Sequence, residues 1–144
     1  MHLQLFAVTA FGLAASMSDI RSRTIPNWIP VSMTVFGLGW HAWAEGLPGL
    51  AASSLGCVGG FAVFLIFYLL GAMGGGDIKL MAACGAVLTM PALFEAAAWT
   101  AILGAILAVL ARSFALVRKT KVAAIPYAPA IVTGAWLTLW ARGA

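Results

Sequence analysis

The sequence predicts an all-α fold, a polytopic membrane bundle of about six transmembrane helices. Of its 144 residues, 63% are hydrophobic and 8% are charged, and the mean hydropathy is +1.03. A soluble domain has an apolar fraction nearer half. A membrane-spanning helix needs roughly 20 apolar residues, so the chain has room for about six and little is left for a soluble domain. We therefore expect one membrane-embedded domain over residues 1–144.

The first apolar segment predicts a helix from about Leu3 to Met17, which ends at Ser18-Asp19. The segment lacks the basic residues that begin a signal peptide, so we expect it to be retained. In the polar connection that follows, Pro26 suits a loop end or the first turn of the next helix, and Pro26 and Asn27 are expected to help shape the substrate site. Asn27 is expected either to cap that helix or to hydrogen-bond near Asp19.

The second and third helices are predicted from about Trp28 to Ala44 and from about Leu50 to Leu70. Tryptophans near the end of the second helix are typical of the aromatic belt at a membrane interface. The Gly56-x-x-x-Gly60 spacing in the third helix would let a neighbouring helix pack closely.

The apolar sequence from Ile78 to Ala111 is too long for one span, and Pro91 is its natural break. This predicts a fourth helix from about Ile78 to Met90 and a fifth from about Ala92 to Ala111. The sixth helix is expected to begin near Ile125 and to run to about Trp140.

The basic residues predict the orientation in the membrane. Seven of the eight lie in alternate connections, and only Arg142 lies on the other side. Basic residues mark cytoplasmic loops, so these connections are expected in the cytoplasm and both termini outside. The same topology places Asp19 and Asp77 together at the cytoplasmic edge. The seven basic residues are Arg21, Arg23, Lys79, Arg112, Arg118, Lys119 and Lys121.

A glycine-rich stretch, Gly74-Gly75-Gly76-Asp77-Ile78-Lys79, interrupts the apolar sequence. A charge at membrane depth is costly and usually functional. The three glycines would allow positive φ angles and a close approach of another chain. Lys79 would either tune Asp77, meet an acidic group of a substrate, or extend to the membrane interface.

Two aspartates on one face of a membrane bundle have three uses. As a catalytic pair they share a proton, so that one acts as general base and the other as general acid. They can also bind a proton or cation during transport, or form ion pairs with Arg21, Arg23 or Lys79. A transporter would be expected to show two similar halves with broken helices in both, whereas the glycine break occurs in only one half.

Three motifs, in order along the chain, resemble those of the type IV prepilin peptidase family. Gly74-Gly75-Gly76-Asp77 resembles its Gly-x-Gly-Asp signature, and Asp19 to Asn27 resembles the segment that carries its other aspartate. Ile125 to Ala130 is similar to its third motif, although Ala128-Pro129 stands where glycine and a small apolar residue are expected. The resemblance covers essentially the whole chain.

The resemblance implies an aspartic endopeptidase of the bacterial inner membrane. Such enzymes remove the basic leader from pilin-like precursors at the cytoplasmic face, with no metal or organic cofactor. It implies that Asp19 and Asp77 are catalytic and that Gly74 and Gly76 shape the loop. Tyr127 is expected to be a substrate contact or an interface aromatic. Since the sequence lacks paired Cys-x-x-Cys motifs, it looks like the short, peptidase-only form of tight-adherence pili, without an N-terminal methyltransferase domain.

The remaining residue types exclude other classes of function. The net charge of +4 comes without a basic face on a soluble fold, so nucleic-acid binding is not expected. Cys57 and Cys84 lie in apolar segments without metal-site spacing, so neither a zinc site nor a disulfide is expected. His2 and His41 have no evident partners and are expected to be incidental.

Overall fold

The computed structural model describes residues 2–71, 73–118 and 125–143. Within these ranges the regular secondary structure is entirely helical, without a strand, as the sequence predicts. Four helices are assigned in them: α1 (His2–Ser22), α2 (Trp28–Leu69), α3 (Gly75–Arg118) and α4 (Ala128–Gly143). Three of the four, α1, α2 and α3, are long and apolar enough to cross a membrane.

Both long helices contain a break in the helical backbone. In α2 the break is at Gly46, with φ 67° and ψ −147°, and in α3 it is at Thr89, with φ 63° and ψ 170°. A proline follows each break by two residues, Pro48 in α2 and Pro91 in α3. Since a proline in the first turn of a helix gives up no hydrogen bond, each proline begins a new helix. The predicted break at Pro91 therefore lies two residues earlier, at Thr89.

The two halves of α2 run antiparallel. A Cβ atom added to Gly37 would lie 2.7 Å from the carbonyl carbon of Ala86, and one added to Gly56 would collide with the carbonyl oxygen of Gly85. In a straight helix Gly37 and Gly56 would be about 28 Å apart. They can both reach neighbouring residues of α3 only because the chain reverses at Gly46.

The chain also reverses at Thr89. Gly60, in the second half of α2, packs against the backbone of Met81 in the first half of α3. Gly59 packs against Met90 and Leu93, just after the break. The predicted close packing at Gly56-x-x-x-Gly60 is thus confirmed, and its partner is the first half of α3.

The first half of α3 is the centre of the bundle. Every residue from Leu80 to Leu88 is buried, as expected of a helix that is apolar on all sides and surrounded by others. The second half of α3 packs against α4, where Gly134 lies against Ala96 and Thr100, and α1 packs against α4 where Gly12 meets Val132. The N-terminus of α3, which carries Asp77, packs where Gly76 lies against Ile25.

Several helix ends differ from the predicted ones. Helix α1 continues past Met17 to Ser22, so Asp19 lies inside the helix rather than after it. The helix ends with a hydrogen bond from the N–H of Arg23 to the carbonyl oxygen of Asp19, 2.8 Å long, and Arg23 takes a left-handed φ of 53°. A single residue in this conformation commonly closes a helix.

Helix α3 begins at Gly75, three residues before the predicted Ile78, and it extends beyond Ala111 to Arg118. Ile125 is not helical, because α4 begins at Ala128 and continues to Gly143. Lys119 and Lys121 lie outside the described residues.

Candidate active site

Asp77 lies in the first turn of α3 and is 7% exposed. Its backbone N–H donates to the carbonyl oxygen of Gly74 over 3.1 Å, and its carboxylate Oδ2 accepts a 3.1 Å hydrogen bond from the N–H of Gly74. The side chain thus reaches back to the residue at which the helix starts, as the acidic residue of a capping box does. The positive end of the helix dipole also favours a carboxylate here.

Asp19 lies near the C-terminal end of α1 and is likewise 7% exposed. Its carboxylate Oδ2 accepts a 3.1 Å hydrogen bond from the backbone N–H of Ala128, the first residue of α4. Each aspartate is therefore held by a backbone N–H at the start of a helix, where free N–H groups attract anions. The helix is α3 for Asp77 and α4 for Asp19.

Both aspartates line one cavity of about 350 Å³, which we call the aspartate cavity. They come from different helices, Asp19 from α1 and Asp77 from α3. The cavity is also lined by Arg23, Thr24, Ile25, Asn27, Gly74, Gly75, Gly76 and Lys79.

Neither aspartate has a basic partner within the described ranges. The only ion pairs found there join His41 to Glu45 and Arg142 to Glu95. Lys79 instead donates a 2.9 Å hydrogen bond to the amide oxygen of Asn27. No contact among the described residues therefore supports the alternative in which the aspartates form ion pairs with Arg21, Arg23 or Lys79.

The sequence of this chain matches the model of the type IV leader peptidase family over residues 6–109. This is more than half of the chain and includes Asp19 and Asp77. The chain belongs to the type IV leader peptidase family. The three long apolar helices fit a multi-pass membrane protein, and the predicted resemblance to this family is confirmed.

Two curated relatives bear the names of peptidases. The chain is 32% identical over 145 residues to the prepilin leader peptidase/N-methyltransferase of Bacillus subtilis (strain 168), covering 95% of this chain and 56% of that protein. It is 35% identical over 88 residues to the preflagellin peptidase of Methanocaldococcus jannaschii, covering 58% of this chain and 37% of that protein. The chain therefore spans little more than half of one relative and less than half of the other. No solved structure matches, and the transport alternative finds no support.

The three glycines of Gly74-Gly75-Gly76 matter because they lack side chains, which leaves room for neighbouring residues, and not because they adopt positive φ angles. The expected positive φ occurs at Gly46 and Gly71 but not in Gly74-Gly75-Gly76. A Cβ atom on Gly76 would lie 3.2 Å from Cβ of Ile25, whereas one on Gly75 would have only Tyr68, 3.9 Å away, within 4 Å. The missing side chain at Gly76 lets Ile25 close one wall of the aspartate cavity.

Asn27 is not a side-chain cap. It occupies the residue before α2, but its side chain makes no capping hydrogen bond, because its amide oxygen accepts from Lys79. The first turn of α2 is closed by the backbone instead, with the N–H of Ile29 donating to the carbonyl oxygen of Pro26 over 3.1 Å. Pro26 itself is exposed and is not among the residues that line the aspartate cavity.

Tyr127 is separated from the aspartates. Its ring lies against Gly104, where an added Cβ atom would come within 2.9 Å, and it lines a different cavity. Its neighbour Ala128, which the sequence marked only as a departure from the third motif, holds Asp19 through its backbone N–H. The signal that could have found it is its place at the start of a helix, where backbone N–H groups are free to donate.

An apolar groove of about 470 Å³ adjoins the aspartate cavity. Asn27 and Lys79 line both, so the two spaces meet at these side chains. The remaining lining residues of the groove are Pro30, Val31, Thr34, Val35, Phe61 and Ala82.

His41 is not incidental, contrary to expectation. It is 6% exposed, and its Nε2 lies 3.0 Å from the carbonyl oxygen of Val87. Gln4 donates to the same oxygen over 3.1 Å. In an unbroken helix this oxygen would accept from the N–H of Pro91, which proline lacks. His41 and Gln4 thus satisfy a carbonyl group that the break at Thr89 leaves without a helical partner.

Proposed function

We propose that this chain is an aspartic endopeptidase that removes the basic leader from pilin-like precursors, with Asp19 and Asp77 as its catalytic pair. The observation that carries the proposal is that both carboxylates, from α1 and α3, line one cavity. Among the described residues neither forms an ion pair with a basic side chain, so both are available for proton transfer. The names of the two relatives support the substrate class.

Peptide hydrolysis needs a base and an acid at the same carbonyl group. Two carboxylates that share a site hold one proton between them and supply both roles. The ionised aspartate takes a proton from water, which attacks the scissile carbonyl carbon, while the protonated aspartate donates to the carbonyl oxygen. Each aspartate uses Oδ2 for its backbone hydrogen bond, which leaves Oδ1 to face water and substrate.

The apolar groove gives a place for the part of the precursor that follows the cleaved bond. Pro30 and Thr34, like Val31 and Val35, are four residues apart in α2, so they form one face of a helix. A substrate helix lying on this face would enter the aspartate cavity at Lys79. The ammonium group of Lys79 is bonded to a neutral amide, so its charge can meet an acidic group of the substrate.

We further propose about six membrane spans, with the aspartate cavity at the cytoplasmic edge and both termini outside, in the bacterial inner membrane. The antiparallel halves of α2 and α3 support this topology, because each long helix would then cross the bilayer twice. The distribution of basic residues supports the orientation. Glu95 and Arg142 pair with each other, and in this topology they lie at the end opposite to the aspartates.

The test is co-expression of the chain with candidate pilin-like precursors, followed by mass spectrometry of the precursor N-terminus. We expect the basic leader to be removed in the presence of the wild-type chain and retained when both aspartates are replaced by asparagine. Leader removal that persists in the double variant would contradict the proposal. Glu45→Gln, at the opposite end of the bundle, serves as the matched carboxylate control and should leave cleavage intact.

A further inference from the structure

A second cavity, which we call the lateral cavity, lies between the second halves of α2 and α3 and has a volume of about 330 Å³. Its wall includes Phe64 and Phe67 from α2, Ala101 and Gly104 from α3, and the loop residues Met73 and Tyr127. Neither the aspartates nor Lys79 line it. No step of the proposed reaction uses this space.

The lateral cavity is apolar and opens to the side of the bundle. Phe64 is 3% exposed at its inner end, whereas Phe67 is 41% exposed and Ala101 is also exposed at its outer end. The polar Thr100 in its wall already donates its hydroxyl to the carbonyl oxygen of Ala96 over 2.7 Å. The other polar side chain in the wall is the phenol of Tyr127, whereas an ordered water in a cavity needs about two to four polar partners.

The surface around the opening indicates what enters the cavity. Ile66 of α2 and Ile102 of α3 are 60% and 52% exposed. They belong to the outer surface of segments that are apolar enough to cross a membrane, where lipid chains are the surrounding medium. Phe67 and Ala101 line the cavity and are themselves exposed, so an acyl chain on this surface would meet the cavity mouth.

Two residues of the cavity wall are joined directly to the groups that hold the aspartates. Met73 precedes Gly74, whose N–H donates to Asp77. Tyr127 precedes Ala128, whose N–H donates to Asp19. A molecule in the lateral cavity therefore contacts both segments whose backbone positions the catalytic pair.

We propose that the lateral cavity binds one acyl chain of a membrane lipid, and that this chain positions the backbone N–H groups of Gly74 and Ala128 for the aspartates. The regulatory part rests on the proposed peptidase function, whereas the binding of the chain does not. Met73 and Tyr127 are positioning residues here, because they act through the donors that follow them. The cleavage rate would then depend on lipid chains as well as on substrate.

Binding is tested with the full chain in phosphatidylcholine vesicles that carry a photoreactive diazirine on the acyl chain. After illumination, mass spectrometry should find label on Met73 and Tyr127. Ala101→Trp fills the cavity mouth and should reduce this labelling at least several-fold, as should the smaller change Ala105→Phe. Ala98→Trp, on the exposed side of the same helix and outside the cavity wall, should leave it unchanged.

Unlabelled Met73 and Tyr127 in the wild type, or equal labelling in the filled variants, would overturn the binding proposal. The coupling is tested by leader cleavage, for which Ala101→Trp should lower kcat several-fold and change KM little, while Ala98→Trp changes neither. Reduced labelling with unchanged kcat would overturn the coupling. If no precursor is cleaved even by the wild type, the proposed function fails while the labelling result still decides the cavity.

Discussion

The carboxylate of Asp19 and the backbone N–H of Ala128, 109 residues later in the chain, form a buried hydrogen bond of 3.1 Å. It joins the end of α1 to the start of α4 and sets the position of one aspartate from a segment far away in sequence. A hydrogen bond to an ionised carboxylate is among the stronger ones in proteins. The third motif, Ile125 to Ala130, thus contacts Asp19 through the backbone N–H of Ala128.

This bond gives the first prediction. Ala128→Pro removes the donor, and proline is compatible with the first position of a helix. A hydrogen bond to a charged group contributes about 1.5–3 kcal/mol, which corresponds to roughly a 10- to 150-fold loss of cleavage rate if it acts on the transition state. Leader cleavage measured at several precursor concentrations checks this.

The control for this prediction is Ala130→Pro. This change places a proline in the same first turn of α4. The N–H of Ala130 makes no backbone hydrogen bond, because the first such bond of α4 runs from the N–H of Ile131 to the carbonyl oxygen of Tyr127. We expect clearly faster cleavage by this variant than by Ala128→Pro. Equal loss in both would mean that proline disturbs α4 generally and that the bond to Asp19 is unimportant.

The second prediction separates catalysis from stability at the two aspartates. Asp19→Asn and Asp77→Asn should each abolish leader cleavage, because an amide can neither accept a proton from water nor donate an acidic one. The free energy of unfolding of both variants should lie within about 1 kcal/mol of the wild-type value, since asparagine still accepts a backbone hydrogen bond. Neither substitution would leave a basic side chain of the described residues without its ion-pair partner, because neither aspartate forms an ion pair there.

Thermal melts in one detergent at neutral pH, together with cleavage assays, check this. Glu45→Gln and Glu95→Gln should leave cleavage nearly intact. Destabilisation of both Asp→Asn variants by several kcal/mol would indicate that the aspartates hold buried charges, and this would favour an ion-pair role. Robust cleavage by either variant would remove that aspartate from the mechanism.

Local sequence was sufficient to predict an all-helical fold and to place Asp19 and Asp77 at one site, while their catalytic role stays a prediction. Apolar runs predict helices, and a carboxylate beside glycines at membrane depth predicts a functional site. The roles of Ala128 and His41 were missed because they depend on contacts between distant segments. His41 has a possible partner four residues later in Glu45, 3.4 Å away, but its main acceptor is the carbonyl oxygen of Val87, which no sequence pattern marks.

The third prediction concerns that carbonyl group. Gln4→Ala and His41→Ala each leave one partner at the oxygen of Val87, so each single change should be mild. The double variant leaves a buried carbonyl group unsatisfied, which costs about 1–3 kcal/mol. We expect the loss of the double variant to exceed the sum of the single losses, as for residues that share a partner. Denaturant unfolding in detergent measures this, and simple additivity would contradict the shared role.

The fourth prediction concerns the break in α3. Thr89 has a φ of 63° and a ψ of 170°, a conformation that is essentially confined to glycine and costs other residues about 1–3 kcal/mol. Thr89→Gly relieves this strain, and the entropy that glycine adds to the unfolded chain offsets only about 0.5–1 kcal/mol. The variant should therefore melt at the same or a higher temperature than the wild type.

The matched control is Thr133→Gly, because Thr133 lies inside the helical part of α4 and is exposed. There glycine relieves no strain and should lower the stability by up to about 1 kcal/mol. Differential scanning fluorimetry of both variants gives the comparison. A Thr89→Gly variant that is destabilised as much as Thr133→Gly would show that the break is not strained.

The last prediction tests the proposed topology. In a background without Cys57 and Cys84, which are both free thiols, single cysteines are introduced by Ser22→Cys, Gly75→Cys, Lys119→Cys and Gly46→Cys. A membrane-impermeant maleimide added to intact cells should label only position 46, because the basic connections are expected in the cytoplasm. Permeabilised cells should label positions 22, 75 and 119 as well, which controls for reactivity. Labelling of position 119 from outside would mean that the chain between α3 and α4 lies on the other face, and the proposed number of spans would then be wrong.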